Sequence, residues 1–174
     1  VVYHIEASTD GNTECSPEVS YTVGEVPIDY TGLALNELNG NDKFIEIYNK
    51  GKEDIHIKGI SIQKDGKDVW TAPSAILKSG EFVLLYSTDV QADHAEHPEG
   101  YFFGSGLSAK KAVKVELFDP KGGSLDCFNL VNFVKKASAS YSRVPDGTGA
   151  WYFTSATPAA KNANETADKV EGLE

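Results

Sequence analysis

Short β-prone runs broken by turn residues recur along the whole 174-residue chain, and no other feature constrains the fold as much. Asp10-Gly11, Asn39–Lys43, Asp65-Gly66, Asp119–Gly123 and Pro145–Gly149 each combine residues that favour tight turns. Between them, LALNEL (33–38), FIEIYN (44–49), DVWT (68–71), EFVLLYS (81–87), VKVEL (113–117), the run 125–134, SYSRV (140–144) and AWYFT (150–154) read as strands. Nowhere does apolar spacing sustain a helical period. A chain of many short strands must bury their faces against one another, as a sandwich or barrel. The predicted class is all-β.

Several runs carry finer expectations. Val113, Val115 and Leu117 alternate with Lys114 and Glu116, which predicts a half-exposed strand. Glu81–Ser87 is apolar throughout and reads as buried on both faces. Ile55 and Ile57 share one parity and Ile60 and Ile62 the other, so a β-bulge is expected at Lys58-Gly59. Val1–Ala7 and Pro17–Val23 read as a hairpin around Ser8–Ser16, and Gly24–Gly32, with Pro27, reads as a linker. Lys161–Glu174 lacks aromatics and reads as a frayed tail. Leu173-Glu174 reads as a cloning scar, and the start at Val1 without any methionine marks an excised or processed piece.

Charge supports this division. The net charge is -10, but residues 33–162 hold 16 acids and 15 bases, while residues 1–32 contribute -6 and residues 163–174 contribute -3. A nearly neutral core with acidic flanks argues against binding the phosphate backbone of nucleic acid. The local basic clusters are Lys110-Lys111 with Lys114, and Lys135-Lys136. Two cysteines exclude a four-thiolate zinc site; Cys15 and Cys127 are expected as free, partly buried thiols, a disulfide requiring proximity that sequence does not give.

Four segments in order carry a resemblance: LALNEL and FIEIYN; IHIKGISIQ (55–63) continued by VWTAP (69–73); ILKSGEFVLLYS (76–87); and SYSRVPDGTGAWYFTSATPAAKN (140–162). Together they resemble a bacterial lamin-tail domain, an immunoglobulin-like β-sandwich. Ile60 stands where the family usually places tryptophan, and its apolar side chain keeps the core role. The resemblance implies a noncatalytic module appended to secreted or cell-surface proteins. The family's nuclear relatives bind proteins and, through basic surface, DNA. Residues 1–23 resemble the last strands of an immunoglobulin- or fibronectin-type repeat. The expected organisation is therefore a truncated repeat at 1–23, a linker at 24–32, the sandwich at 33–162 and a flexible acidic tail at 163–174.

Few residues suggest chemistry. Glu37 and Glu46, on neighbouring strands, would suit acid–base work or a cation, yet both lie in the lamin-tail signature and read as structural. Asp93-His94-Ala95-Glu96-His97 has ligand types for zinc but no second segment, and reads as a solvated loop. Ser108-Ala109-Lys110-Lys111 matches a Ser-x-x-Lys spacing without its companion motifs. Tyr101-Phe102-Phe103 and Trp151 are candidate aromatic platforms, with core packing the commoner use. Asn164-Glu165-Thr166 fits a glycosylation pattern relevant only in a glycosylating host. No catalytic, cofactor or metal residue is assigned. The expectation is a monomeric, extracytoplasmic interaction or attachment module of a larger exported bacterial protein, with a protein or glycan partner, no nucleic acid and no membrane insertion. The alternative is an accessory glycan-binding module of a carbohydrate-active surface enzyme.

Overall fold

A computed structural model describes residues 27–131, 140–162, 168–171 and 173, and within 1–26 the strand backbones at 2–3, 6–9, 12–15 and 19–20. The first strands are β1 (Val2–Tyr3), β2 (Glu6–Thr9), β3 (Asn12–Cys15) and β4 (Val19–Ser20). β2 pairs with β3 from Glu6↔Cys15 to Thr9↔Asn12, and β1 pairs with β4. The arms thus run into the segment read as a connecting loop, and Asp10-Gly11 lies outside the described residues.

From Leu33 the chain builds two facing sheets. Its strands are β5 (Leu33–Asn39), β6 (Phe44–Asn49), β7 (Ile55–His56), β8 (Ser61–Lys64), β9 (Lys67–Thr71), β10 (Ile76–Leu77), β11 (Phe82–Ser87), β12 (Phe102–Phe103), β13 (Val113–Phe118), β14 (Ser124–Leu130), β15 (Ser140–Val144), β16 (Ala150–Thr154) and β17 (Asp168–Lys169). One sheet has the order β12-β11-β6-β5-β15-β16-β17, the other β14-β13-β8-β9, and β7 pairs with β10 alone. Only β11–β12 is parallel among these pairs. The all-β sandwich expected from sequence is the observed architecture.

Period-two patterning fills the space between the sheets. Leu33, Leu35, Ile45, Ile47, Val83, Leu85 and Trp151 from the larger sheet meet Ile62, Trp70, Val115, Leu117, Phe128 and Leu130 from the smaller one. Phe128 stands edge-on to Trp151, with ring centroids 4.9 Å apart. Ile60, in the position of the missing tryptophan, is buried in the same cluster.

Hairpins follow turn chemistry. Lys64↔Lys67 closes β8–β9 over Asp65 (φ 51°) and Gly66 (φ 77°), two left-handed residues suited to a two-residue loop. β15 and β16 close over Pro145–Gly149 with Val144↔Ala150.

Four expectations need correction. No bulge sits at Lys58-Gly59: the chain turns there, with Gly59 at φ 82°, and leaves the β7–β10 pair for the smaller sheet. A change of sheet switches parity just as an inserted residue does, and all four isoleucines are buried. β11 alternates buried and half-buried positions instead of burying both faces, because aromatic neighbours only partly cover its outer side. Phe82, for example, stacks on Tyr48 at 4.7 Å.

The third correction concerns the tail: β17 pairs with β16, and Val170 and Leu173 enter the core cluster, so the described residues at 168–171 and 173 are not frayed. The fourth is Trp151, which is wholly buried and offers no exposed platform. Among the described residues, no helix is long and apolar enough to cross a membrane; the helical segments are short 3₁₀ turns, Thr88–His94 and Glu99–Tyr101.

Candidate functional site

The groups best suited to chemistry lie on the outer face of the larger sheet. β5 pairs with β6 as Leu35↔Ile47 and then Glu37↔Glu46, skipping Asn36 in a bulge. The bulge places Glu37 on the face opposite the core, directly across from Glu46, whose neighbours Ile45 and Ile47 point inward. After β16 the chain folds back over these carboxyls as a strap. Thr157 Oγ1 and N donate to Glu37 at 2.8 and 3.1 Å, and the Ala159 N–H donates to Glu46 Oε2 at 2.7 Å. Ala159 sits at φ 57°, a left-handed conformation that is unfavourable by roughly 1–2 kcal/mol for a residue with a Cβ.

Asn36 ties the network to the β15–β16 turn. Its Nδ2 donates to Glu46 Oε1 at 3.0 Å and to Asp146 Oδ1 at 3.1 Å, and its Oδ1 accepts from the Gly147 N–H at 2.8 Å. The Asn162 N–H also donates to Asp146 Oδ1 (3.0 Å), while Asn162 Nδ2 reaches the carbonyls of Arg143 and Asn36. Taking Glu37 and Glu46 out of water disfavours their ionised forms. Burial, reinforced by the charges of Glu37 and Asp146, pushes Glu46 up to about 8 against the hydrogen bonds from Asn36 and Ala159. Burial likewise raises Glu37, opposed by hydrogen bonds from Ser140 and Thr157.

A second buried polar cluster joins the two sheets. Arg143 Nη2 contacts Asp126 Oδ1 at 2.8 Å and Oδ2 at 3.1 Å. Asp126 Oδ2 accepts from the Leu35 N–H (2.9 Å), and Arg143 Nε donates to the Leu35 carbonyl (3.0 Å). β15 pairs with β5 only at Glu37 and Leu38, so these two side chains satisfy backbone groups that no strand reaches. The Arg143 guanidinium also lies 4.6 Å over the Trp151 ring.

This bulged, strapped sandwich can be set beside known families. The family model of the lamin tail domain matches residues 28–132, more than half of the chain. The chain belongs to the lamin tail domain family. No curated protein matches it. The lamin tail domain is a noncatalytic immunoglobulin-like β-sandwich. The match starts ahead of Leu33 and ends before β15 and β16, which nevertheless extend the same sheet as β5.

The remaining candidates of this lamin tail domain separate cleanly. Glu37 and Glu46 are brought together as expected, but both are fully buried, and all four of their oxygens accept from described donors. General acid–base work needs a carboxyl within reach of a substrate proton, and here the strap stands in the way. His94 stacks on Tyr86 at 3.6 Å, whereas His97 Nε2 lies 3.0 Å from the Leu84 carbonyl between Tyr86 and Phe102. The two imidazoles pack on the sheet instead of projecting from a solvated loop, and the described residues contain no group of three metal-ligating side chains. Phe103 is buried; Tyr101 and Phe102 are half-buried beside His97. Cys127 is a free, half-buried thiol; burial and the carboxylate of Glu116 raise its pKa. The Cys15 side chain, the strand end at 132–134, Lys135-Lys136 and Asn164–Thr166 lie outside the described residues.

Sequence reasoning missed Asn36, Asp126, Asp146, Thr157 and Asn162. A signal existed for the first group: acids embedded in apolar strands demand donors, and the Thr-Pro-containing segment after β16 supplies them. It also missed Lys43 and Lys64, which join Lys111 around a cleft of about 350 Å³.

Proposed function

We propose that this chain is a noncatalytic interaction or attachment module of a larger exported bacterial protein, working outside the cytoplasm. The observation that carries the reading is the fate of its reactive groups. Glu37 and Glu46 are spent on the strap, Arg143 and Asp126 on the inter-sheet joint, and the imidazoles on packing. Membership of a noncatalytic family supports the same conclusion. Fusing the chain to an exported reporter tests it directly. The reporter should be retained on the envelope of the producing cell only when the chain is present. Equal release with and without the chain, or turnover of a glycoside or phosphoester by the isolated chain, would refute the proposal.

The alternative, an accessory glycan-binding module, draws on one feature. Trp151 is unavailable for stacking, but the lysine-lined cleft offers a charged recognition site.

A further inference from the structure

We infer that the cleft lined by Lys43, Lys64 and Lys111 binds an anionic saccharide unit, its sulfate or carboxylate group held by the three ammonium groups. The inference rests on the interaction-module reading and specifies the chemistry of the partner.

Three separate elements bring the lysines together. Lys43 ends the β5–β6 turn, Lys64 precedes the β8–β9 turn, and Lys111 comes from the loop between β12 and β13. Among the described residues the only acid lining the cleft is Asp65, which pairs with Lys64 at 3.1 Å and accepts from the Lys114 N–H at 2.9 Å. Lys114 in turn pairs with Glu116 at 2.7 Å. Lys43 and Lys111 have no carboxylate partner among the described residues, although acids outnumber bases in the protein. Like charges gathered around one cleft repel each other unless an anion enters.

The walls pack closely against each other, and Lys43 is held in an unusual conformation. A Cβ on Gly40 would lie 2.2 Å from the Ala109 nitrogen, so the 104–112 loop seats directly on the β5–β6 turn. Lys43 adopts φ 64°, where glycine would be the cheaper residue. Its carbonyl accepts from the Ser87 N–H, and its Nζ donates to the carbonyl of Leu107, another residue of the cleft lining. An outlier held by its surroundings is a place to look for function.

Size narrows the ligand. About 350 Å³ corresponds to the share of roughly twelve liquid waters, at ~30 Å³ each. A lone oxyanion leaves most of that volume filled with water, while a charged sugar ring occupies it.

An NMR titration of the chain with glucose 6-sulfate tests this, with glucose and inorganic sulfate as controls. Saturable shifts are expected at Lys43, Lys64, Asp65 and the 106–113 loop, weakening as salt screens the charges. Lys111→Gln and Lys43→Gln should each weaken binding ~5-fold, the scale of one charge contact near solvent. Lys111 is exposed, so Lys111→Gln should melt with the parent and report binding alone. No saturation, equal binding of glucose, or sulfate binding as tightly as the sugar sulfate would overturn the inference. So would duplex DNA that binds more tightly through the same amides, which would give the surface to nucleic acid. Failure here leaves the attachment reading intact, because envelope retention is measured separately.

Discussion

Replacing Glu46 by glutamine should change the sign of its effect on stability between acidic and alkaline pH. In the folded protein burial lifts the Glu46 carboxyl from 4.5 to about 8. The folded state therefore holds a proton that the unfolded chain gives up near its ordinary value. For such a group the stabilising contribution is complete below about 4.5, falls as pH rises, and is lost once pH passes about 8. At roughly 1.4 kcal/mol per pH unit, the span corresponds to about 5 kcal/mol as an upper bound. Glutamine removes that titration and introduces a different penalty. Glu46 accepts from two N–H donors, Asn36 Nδ2 and the Ala159 amide, whereas an amide side chain offers one oxygen and one NH₂. Asn36 cannot turn its oxygen toward the new NH₂ without losing Asp146 and Gly147. One donor is therefore left without an acceptor, at about 1–3 kcal/mol. At pH 5 the variant should be less stable by about that amount. At pH 9 the relieved burial of charge should outweigh it, leaving the variant equal to or more stable than the parent. Urea unfolding at pH 5, 7 and 9, followed through Trp70 and Trp151, measures both curves. Parallel curves across that range would refute the reasoning, for they would mean that Glu46 carries the same charge folded and unfolded.

Arg143→Ala should destabilise by about 2–3 kcal/mol, since it leaves the half-buried Asp126 carboxylate without its ionic partner and frees the Leu35 and Gly149 carbonyls; Arg143→Lys should recover only part, because one ammonium cannot serve all three acceptors. Equal melting of Arg143→Ala and parent would show that the joint contributes nothing. Removing residues 1–26 should leave a single cooperative transition, because among the described residues β1 pairs with β4 and β2 with β3, and the family match starts at residue 28; a loss of cooperativity would show that these strands complete the core. A strong chelator should not move the melting temperature, and a drop reproduced by His94→Ala and His97→Ala would reveal a metal that contributes folding energy.

What could be read from sequence, and what could not, divides along the range of the interactions involved. Asp65-Gly66 and Pro145–Gly149 announce their hairpins because a turn is a local matter of φ angles and its strands follow at once. Val113, Val115 and Leu117 announce a buried face because neighbouring side chains alternate by geometry alone. The isoleucines at 55, 57, 60 and 62 defeat the same logic, since a bulge and a change of sheet produce identical parity. The strap defeats it more completely. Thr157 and Glu37 are 120 positions apart, and although Thr157-Pro158 belongs to the family-like segment, nothing local to it says which strand it covers. Yet the acceptor half of the problem is visible: Glu46 stands between two isoleucines, and a carboxyl so placed must either find donors or keep its proton. In this fold it does both, taking two N–H donors while burial raises its pKa. A buried acid in an apolar strand therefore predicts a covering segment without saying which one. Here it explains why the polar residues after β16 have fixed positions over the sheet.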